Sequence, residues 1–234
     1  MIHSKAKENG YQYNDYQTKI DSDKSYSSKV FVESVTPHLM YMLDMSGVRD
    51  KFIPVESRDM ANDPLMKTLD FAGIDYLMIR GHNIYGVSAR VQFIAEDRLP
   101  YNTFTIRAKR NKGGKHSESE SFLQPSAAEV RPLSSSYTVQ SYVSRDSNKI
   151  LSIGIVRTED LYAFYAENEA SLEEKRSFSP DSNHFNAIKW SDLKEAGVKI
   201  RTKVFAENIK ARSFNTSANY QSSNSQSRYN PASF

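Results

Sequence analysis

The 234-residue chain contains no cysteine, which excludes disulfides and thiolate metal ligands. Its N-terminus lacks the continuous apolar stretch of a signal peptide, and no apolar run approaches the roughly 20 residues that span a bilayer. The expectation is a soluble, cytoplasmic protein with no membrane partner. The five histidines, His3, His38, His82, His116 and His184, show no zinc-binding spacing. A phosphate-binding glycine motif, a Gly-x-Ser-x-Gly elbow and a kinase signature are also missing. Nucleotide hydrolysis, α/β-hydrolase chemistry and kinase activity therefore have no support.

Hydrophobic residues make up 38% of the chain, which is low for a domain of this length packed from end to end. The two ends account for the deficit. Residues 1–29 and 213–234 are rich in Ser, Asn, Gln, Lys and Tyr without apolar periodicity and read as polar tails, with one domain over 30–212. Tail tyrosines interleaved with Lys and Arg suit stacking on single strands or contact with a protein partner, and disordered tails carry the same composition with neither role. A net charge of +3 does not by itself identify a nucleic-acid binder. Its distribution is more informative, because Arg107, Lys109, Arg110, Lys112 and Lys115 follow one another with no acid among them. This run reads either as a solvated turn or as a phosphate-contacting loop.

Periodicity predicts an α/β (α+β) fold, with N-terminal helices followed by a mixed, largely antiparallel sheet with flanking helices. Val30 to Met45 has helical spacing, and Asn62-Asp63-Pro64 opens a short helix that Gly73 ends, with a loop containing Pro54 between them. Strands are expected at 74–79, 86–94, 103–108, 137–143, 150–156, 185–190 and 198–205. A helix capped by Thr158 and a turn capped by Ser191 complete the order. Trp190, the single tryptophan, ends an apolar strand and reads as a core anchor.

The chemistry-bearing pattern lies in the first three of these strands. Asp75 starts an apolar strand just after a helix-ending glycine. On the next strand Ser88, Arg90 and Gln92 alternate with Val87, Ala89 and Val91, and on the third Thr103, Thr105 and Arg107 alternate with Phe104 and Ile106. Alternation sends each polar set to one face. Pairing in sequence order would gather Asp75, Arg90, Gln92 and Arg107, a carboxylate beside two guanidiniums suited to a divalent metal and an anionic substrate. Equally open is a plain antiparallel sheet with one wet face and an Asp75–Arg90 pair. Gln140 and Tyr142 either extend that polar face or lie on the surface.

Helix, Gly-Ile-Asp on a strand, then a hairpin into a strand with alternating polar residues resembles the PD-(D/E)XK nuclease superfamily over Val30 to Arg107. The resemblance implies a restriction-endonuclease-like fold and a Mg²⁺-dependent nuclease acting on DNA or RNA. Asp75 takes the position of the metal-binding acid, with Asp70 and Glu120 as further ligands and Glu56 and Glu118 as alternatives. Ser88 and Arg90 stand where the superfamily carries its second acid and lysine, or else Arg90 and Gln92 are shifted by one pair, and arginine cannot readily act as a base. Catalysis would then fall to Asp75, Arg90 and Gln92, with Gln92 orienting water and Arg107, Lys109 and Arg110 binding phosphate. The alternative is a catalytically degenerate relative that binds nucleic acid or a protein partner. An accessory or inhibitor protein of a phage or mobile element is of that kind.

Overall fold

Phe31, Val35 and Leu39 recur every fourth residue, and the chain is helical from Tyr26 to Met42. The computed structural model describes residues 26–55, 63–95, 98–109, 135–172, 174–176 and 184–205. All the elements named below lie in one compact unit that ends at Val204. A π-helical turn, Phe31–Val35, leads into α1, Thr36–Met42. Pro37 accounts for that turn. A proline inside a helix lacks an N–H and presses on the carbonyl four residues back, and a wider turn in which the Thr36 N–H reaches the Phe31 carbonyl accommodates it. Helix begins four residues before the expected end of the N-terminal tail, so Tyr26 to Lys29 belong to the folded unit.

A strand occupies the segment read as a loop around Pro54: β1 is Lys51–Pro54. It is an edge strand, the position where a sheet tolerates proline. The Asp63 carboxylate then caps α2, Pro64–Phe71, accepting from the Leu65 N–H at 2.8 Å. The hairpin β2, Tyr76–Arg80, to β3, Asn83–Ile94, turns on Gly81-His82, with Gly81 at φ 60°. Next come β4, Thr103–Lys109, β5, Tyr137–Ser144, and β6, Ile150–Arg157. The chain continues through α3, Thr158–Asn168, β7, Glu174–Arg176, and β8, His184–Lys189, to α4, Trp190–Glu195, and β9, Ile200–Val204.

The strands form two sheets, one ordered β1-β2-β3-β5-β6-β9 and one ordered β4-β8-β7. Every pairing is antiparallel except β3 with β5. The architecture is thus mixed α/β with a mostly antiparallel sheet. Sequence-order pairing holds for β2 and β3 and fails for β4, whose place beside β3 is taken by β5. Burial explains the exchange. A central strand with a parallel neighbour is covered on both faces, and β5 is buried from Thr138 to Ser144, whereas β4 carries the half-buried Arg107 and pairs with β8.

One face of the large sheet is apolar. Phe31, Val35 and Leu39 are fully buried, as are Val87, Val139 and Ile153, and the Phe31 ring stacks on Tyr76 at 4.2 Å between centroids. At the far edge Arg201 of β9 donates to the Met42 carbonyl and pairs with Asp44, tying the end of α1 to that strand. Alternation places Ser88, Arg90 and Gln92 on the other face, level with Thr138, Gln140 and Tyr142 of β5. That face is not the wet face of an open sheet. Gln140 and Tyr142 are buried, with side-chain bonds that run to β4.

Two helix starts differ from expectation. Thr158 is the first residue of α3 rather than its cap, and its hydroxyl bonds to Ser135 and Thr138 in the interior, since the residue is fully buried. Ser191 lies inside α4, which starts at Trp190, and donates to Asp192. Trp190 itself is the core anchor expected of it, 3% exposed and packed with Phe104 and Tyr142. Gly154 of β6 makes this possible, because a Cβ there would lie 2.6 Å from the indole.

Candidate functional site

Arg90 projects from the middle of β3 towards the small sheet. Its Nη1 donates to Thr105 Oγ1 at 3.2 Å, and that hydroxyl donates to Gln140 Oε1 at 3.1 Å. Gln140 is 2% exposed, so the relay Arg90–Thr105–Gln140 is anchored in the interior and opens outward to a half-buried guanidinium. A polar chain of this kind fixes a side chain that would otherwise sample many rotamers.

Arg107 enters from β4, where the register sets it directly opposite Phe185 of β8. Its guanidinium carbon stands over the Phe185 ring at 5.6 Å from the centroid, and that of Arg90 stands over the same ring at 5.5 Å. Two cations from two sheets thus share one aromatic platform. The ring quadrupole attracts each of them. Guanidinium geometry matches carboxylates and phosphates through paired hydrogen bonds.

Asp75 sits just before β2, and its carboxylate accepts the Ala89 N–H at 2.6 Å while its own N–H donates to the Val87 carbonyl at 2.9 Å. The acid thereby continues the β2–β3 ladder beyond the end of β2, a structural use of a carboxylate at a strand start. Gln92 lies on the Arg90 face, level with Tyr142. Asp70 is exposed on α2. Lys109 is the last described residue of β4, while Arg110, Glu120, Glu56, Glu118 and His116 lie outside the described residues. Among the described residues no group of three or more His, Asp or Glu converges in a way that would hold a metal ion. Of the expected ligand set Asp75, Asp70 and Glu120, the last lies outside these residues.

The structure thus brings Arg90 and Arg107 together, as expected, but by sheet-on-sheet packing rather than by adjacent strands. Phe185 was not singled out by the sequence. Its role depends on β4 pairing with β8 across a long stretch of chain, for which short-range periodicity carries no signal. Gln140 was legible only as a polar residue on an apolar strand, and it proves to be the buried end of the relay. Among the described residues no helix is long and apolar enough to cross a membrane. No protein-family model, curated protein or solved structure matches the chain.

Proposed function

We propose that the protein binds nucleic acid through its phosphates, with Arg90 and Arg107 as the contacting groups and Phe185, Thr105 and Gln140 holding them in place. One observation carries this reading: two guanidiniums from separate sheets converge on a single ring, one of them anchored by a buried relay. The nucleic-acid backbone supplies anions at regular spacing, and guanidinium geometry matches them through paired hydrogen bonds. The basic residues that follow Arg107 in sequence, Lys109, Arg110, Lys112 and Lys115, would extend the contact along a strand. This is the degenerate-relative form of the resemblance noted in the sequence.

The nuclease form of that resemblance makes Asp75 a Mg²⁺ ligand beside Arg90. What favours it is the adjacency of the Asp75 carboxylate to the strand that carries Arg90. Asp75 as placed fits this role poorly, since one oxygen already accepts a backbone N–H at 2.6 Å and the described residues add no converging acids.

The two forms separate in one experiment. Labelled single- and double-stranded DNA and RNA are mixed with wild-type protein, Asp75→Ala or Arg90→Ala, in Mg²⁺, in Mn²⁺ or in EDTA, and both shift and cleavage are read. The binding form predicts retarded, intact strands in EDTA, weakened by Arg90→Ala. Metal-dependent cutting abolished by Asp75→Ala would establish the nuclease form instead. No shift and no cutting for any substrate would contradict both.

A further inference from the structure

β9 closes the six-stranded sheet, and among the described residues its strand partner is β6. The Thr158 N–H bonds to the Ser136 carbonyl at 3.0 Å, in step with the Thr138–Val156 and Gln140–Gly154 pairs, and this sets the phase of the ladder. Successive residues of a strand bond to opposite neighbours. Even-numbered residues of β6 thus bond to β5, while Ile153 and Ile155 bond to Lys203 and Arg201. Ile200, Thr202 and Val204 therefore turn their N–H and C=O groups to the outer edge. An edge of this kind is a template for a further strand.

Charge decides which strand fits. Lys199, Arg201 and Lys203 alternate along β9 and share the face towards α1, where Arg201 pairs with Asp44 and Lys203 stands over the Tyr41 ring. On the other face Lys194 of α4 donates to Thr202 at 2.9 Å. These contacts stay in place, and the edge acts on an incoming strand through its basic field. A second copy fits poorly. Antiparallel pairing of β9 with itself about Thr202 sets Arg201 opposite Lys203, and a shift by one residue pair sets Arg201 opposite Arg201 or Lys203 opposite Lys203. Acids at alternate positions of the incoming strand reverse the sign of every such pair.

We propose that the outer edge of β9 docks an extended acidic segment of a protein partner, which joins the sheet as a further strand with Asp or Glu opposite Arg201 and Lys203. The backbone of Ile200, Thr202 and Val204 supplies the pairing, and the basic side chains supply the selection. This edge lies three strands from β3, which carries Arg90, so the inference stands apart from the nucleic-acid reading.

The test uses the full chain and a fluorescent heptapeptide in which Glu alternates with Thr and Val, read by anisotropy. One control peptide carries Lys in place of every Glu, and another carries N-methyl groups on its Thr and Val residues. The expected result is saturable binding of the acidic peptide, with each control weaker by about tenfold or more. Thr202→Pro removes one outward N–H at an edge position, where proline is tolerated. It should weaken the acidic peptide by a similar factor and leave the far-UV circular dichroism unchanged. Equal binding of the N-methylated peptide would reduce the edge to plain charge attraction and overturn the proposal, as would equal binding of the Lys peptide or no binding of any. A single-stranded oligonucleotide that displaces the acidic peptide, and whose own binding Thr202→Pro abolishes, would make the edge a nucleic-acid contact instead. A dimer in sedimentation that Thr202→Pro dissolves would put a second copy there, and either result overturns the proposal. The peptide series is read on wild-type protein, so its outcome does not depend on whether Thr202→Pro folds.

Discussion

The two faces of the six-stranded sheet are built on different principles. Towards α1 the contact is a layer of fully buried apolar side chains, Phe31, Val35 and Leu39 against Val87, Val139 and Ile153. Towards the small sheet the contact near β3 and β5 is polar, with Arg90, Thr105 and Gln140 in a relay and the Tyr142 hydroxyl bonded to Thr103. An apolar layer gains its stability from area removed from water and needs little angular precision. A buried polar layer gains little net energy, is costly when any member is lost, and fixes orientation. Beyond this polar contact the second face too is backed by an apolar core, which includes Tyr142, Phe104, Leu161, Ile188 and Trp190, and what the relay adds there is a fixed orientation for Arg90.

That division is broken most severely from the apolar side. Phe31→Ala removes a fully buried ring stacked on Tyr76 and should cost about 3–5 kcal/mol of stability. Chemical denaturation would read this, while oligonucleotide affinity of the folded fraction stays as in wild type. On the other face, where Gly154 lies level with Gln140, Gly154→Ala comes next, since its Cβ would lie 2.6 Å from the Trp190 indole. Overpacking of this kind should cost about 1–3 kcal/mol, and because Trp190 is the single tryptophan its emission should shift with the loss.

A substitution in the polar relay should show the opposite signature. Thr105→Val removes the middle of the relay and deprives both Gln140 Oε1 and Arg90 Nη1 of their bond to it. A stability loss of about 1–3 kcal/mol should accompany weaker binding, and a variant that loses stability without affinity would erase the distinction between the faces.

Acidity gives the smallest effect. Burial and the nearby Lys203 charge lower the His38 pKa below its ordinary value of 6.5. Hydrogen bonds from the Gly81 and Gly47 backbone N–H groups lower the Asp50 pKa below 3.8. In both cases the unfolded chain binds the proton more tightly, so stability falls as pH falls. The His38 contribution is present above about pH 6.5 and lost below it, and that of Asp50 is lost only below about pH 3.8. Lys203→Gln should raise the His38 pKa in an NMR titration, since it removes the second of the two causes.

Most elements of the fold were legible because local rules fixed them. The Asp63 cap, the Gly81 turn and the alternation along β3 and β4 are each set within a few residues. What was not legible depended on distant partners. β1 was masked by Pro54, whose tolerance follows from an edge position that only the completed sheet defines. Thr158 looked like a cap because its type and place suit one, yet the interior hydroxyls of Ser135 and Thr138 claim it. The site shows the same limit, since Arg90 and Arg107 could be named from alternation while Phe185, which joins them, comes from a strand paired across the fold.

Joint action of the two arginines through one ring is read by a double-mutant cycle. Binding of a labelled single strand would be measured for wild type, Arg90→Gln, Arg107→Gln and the double variant, each at several salt concentrations. Each single variant should lose about tenfold or more in affinity and lower the salt slope by roughly one. The double variant should lose less than the product of the two, as coupled neighbours do. A double variant that binds as tightly as wild type, with an unchanged salt slope, would show that the arginines are not the contacting groups.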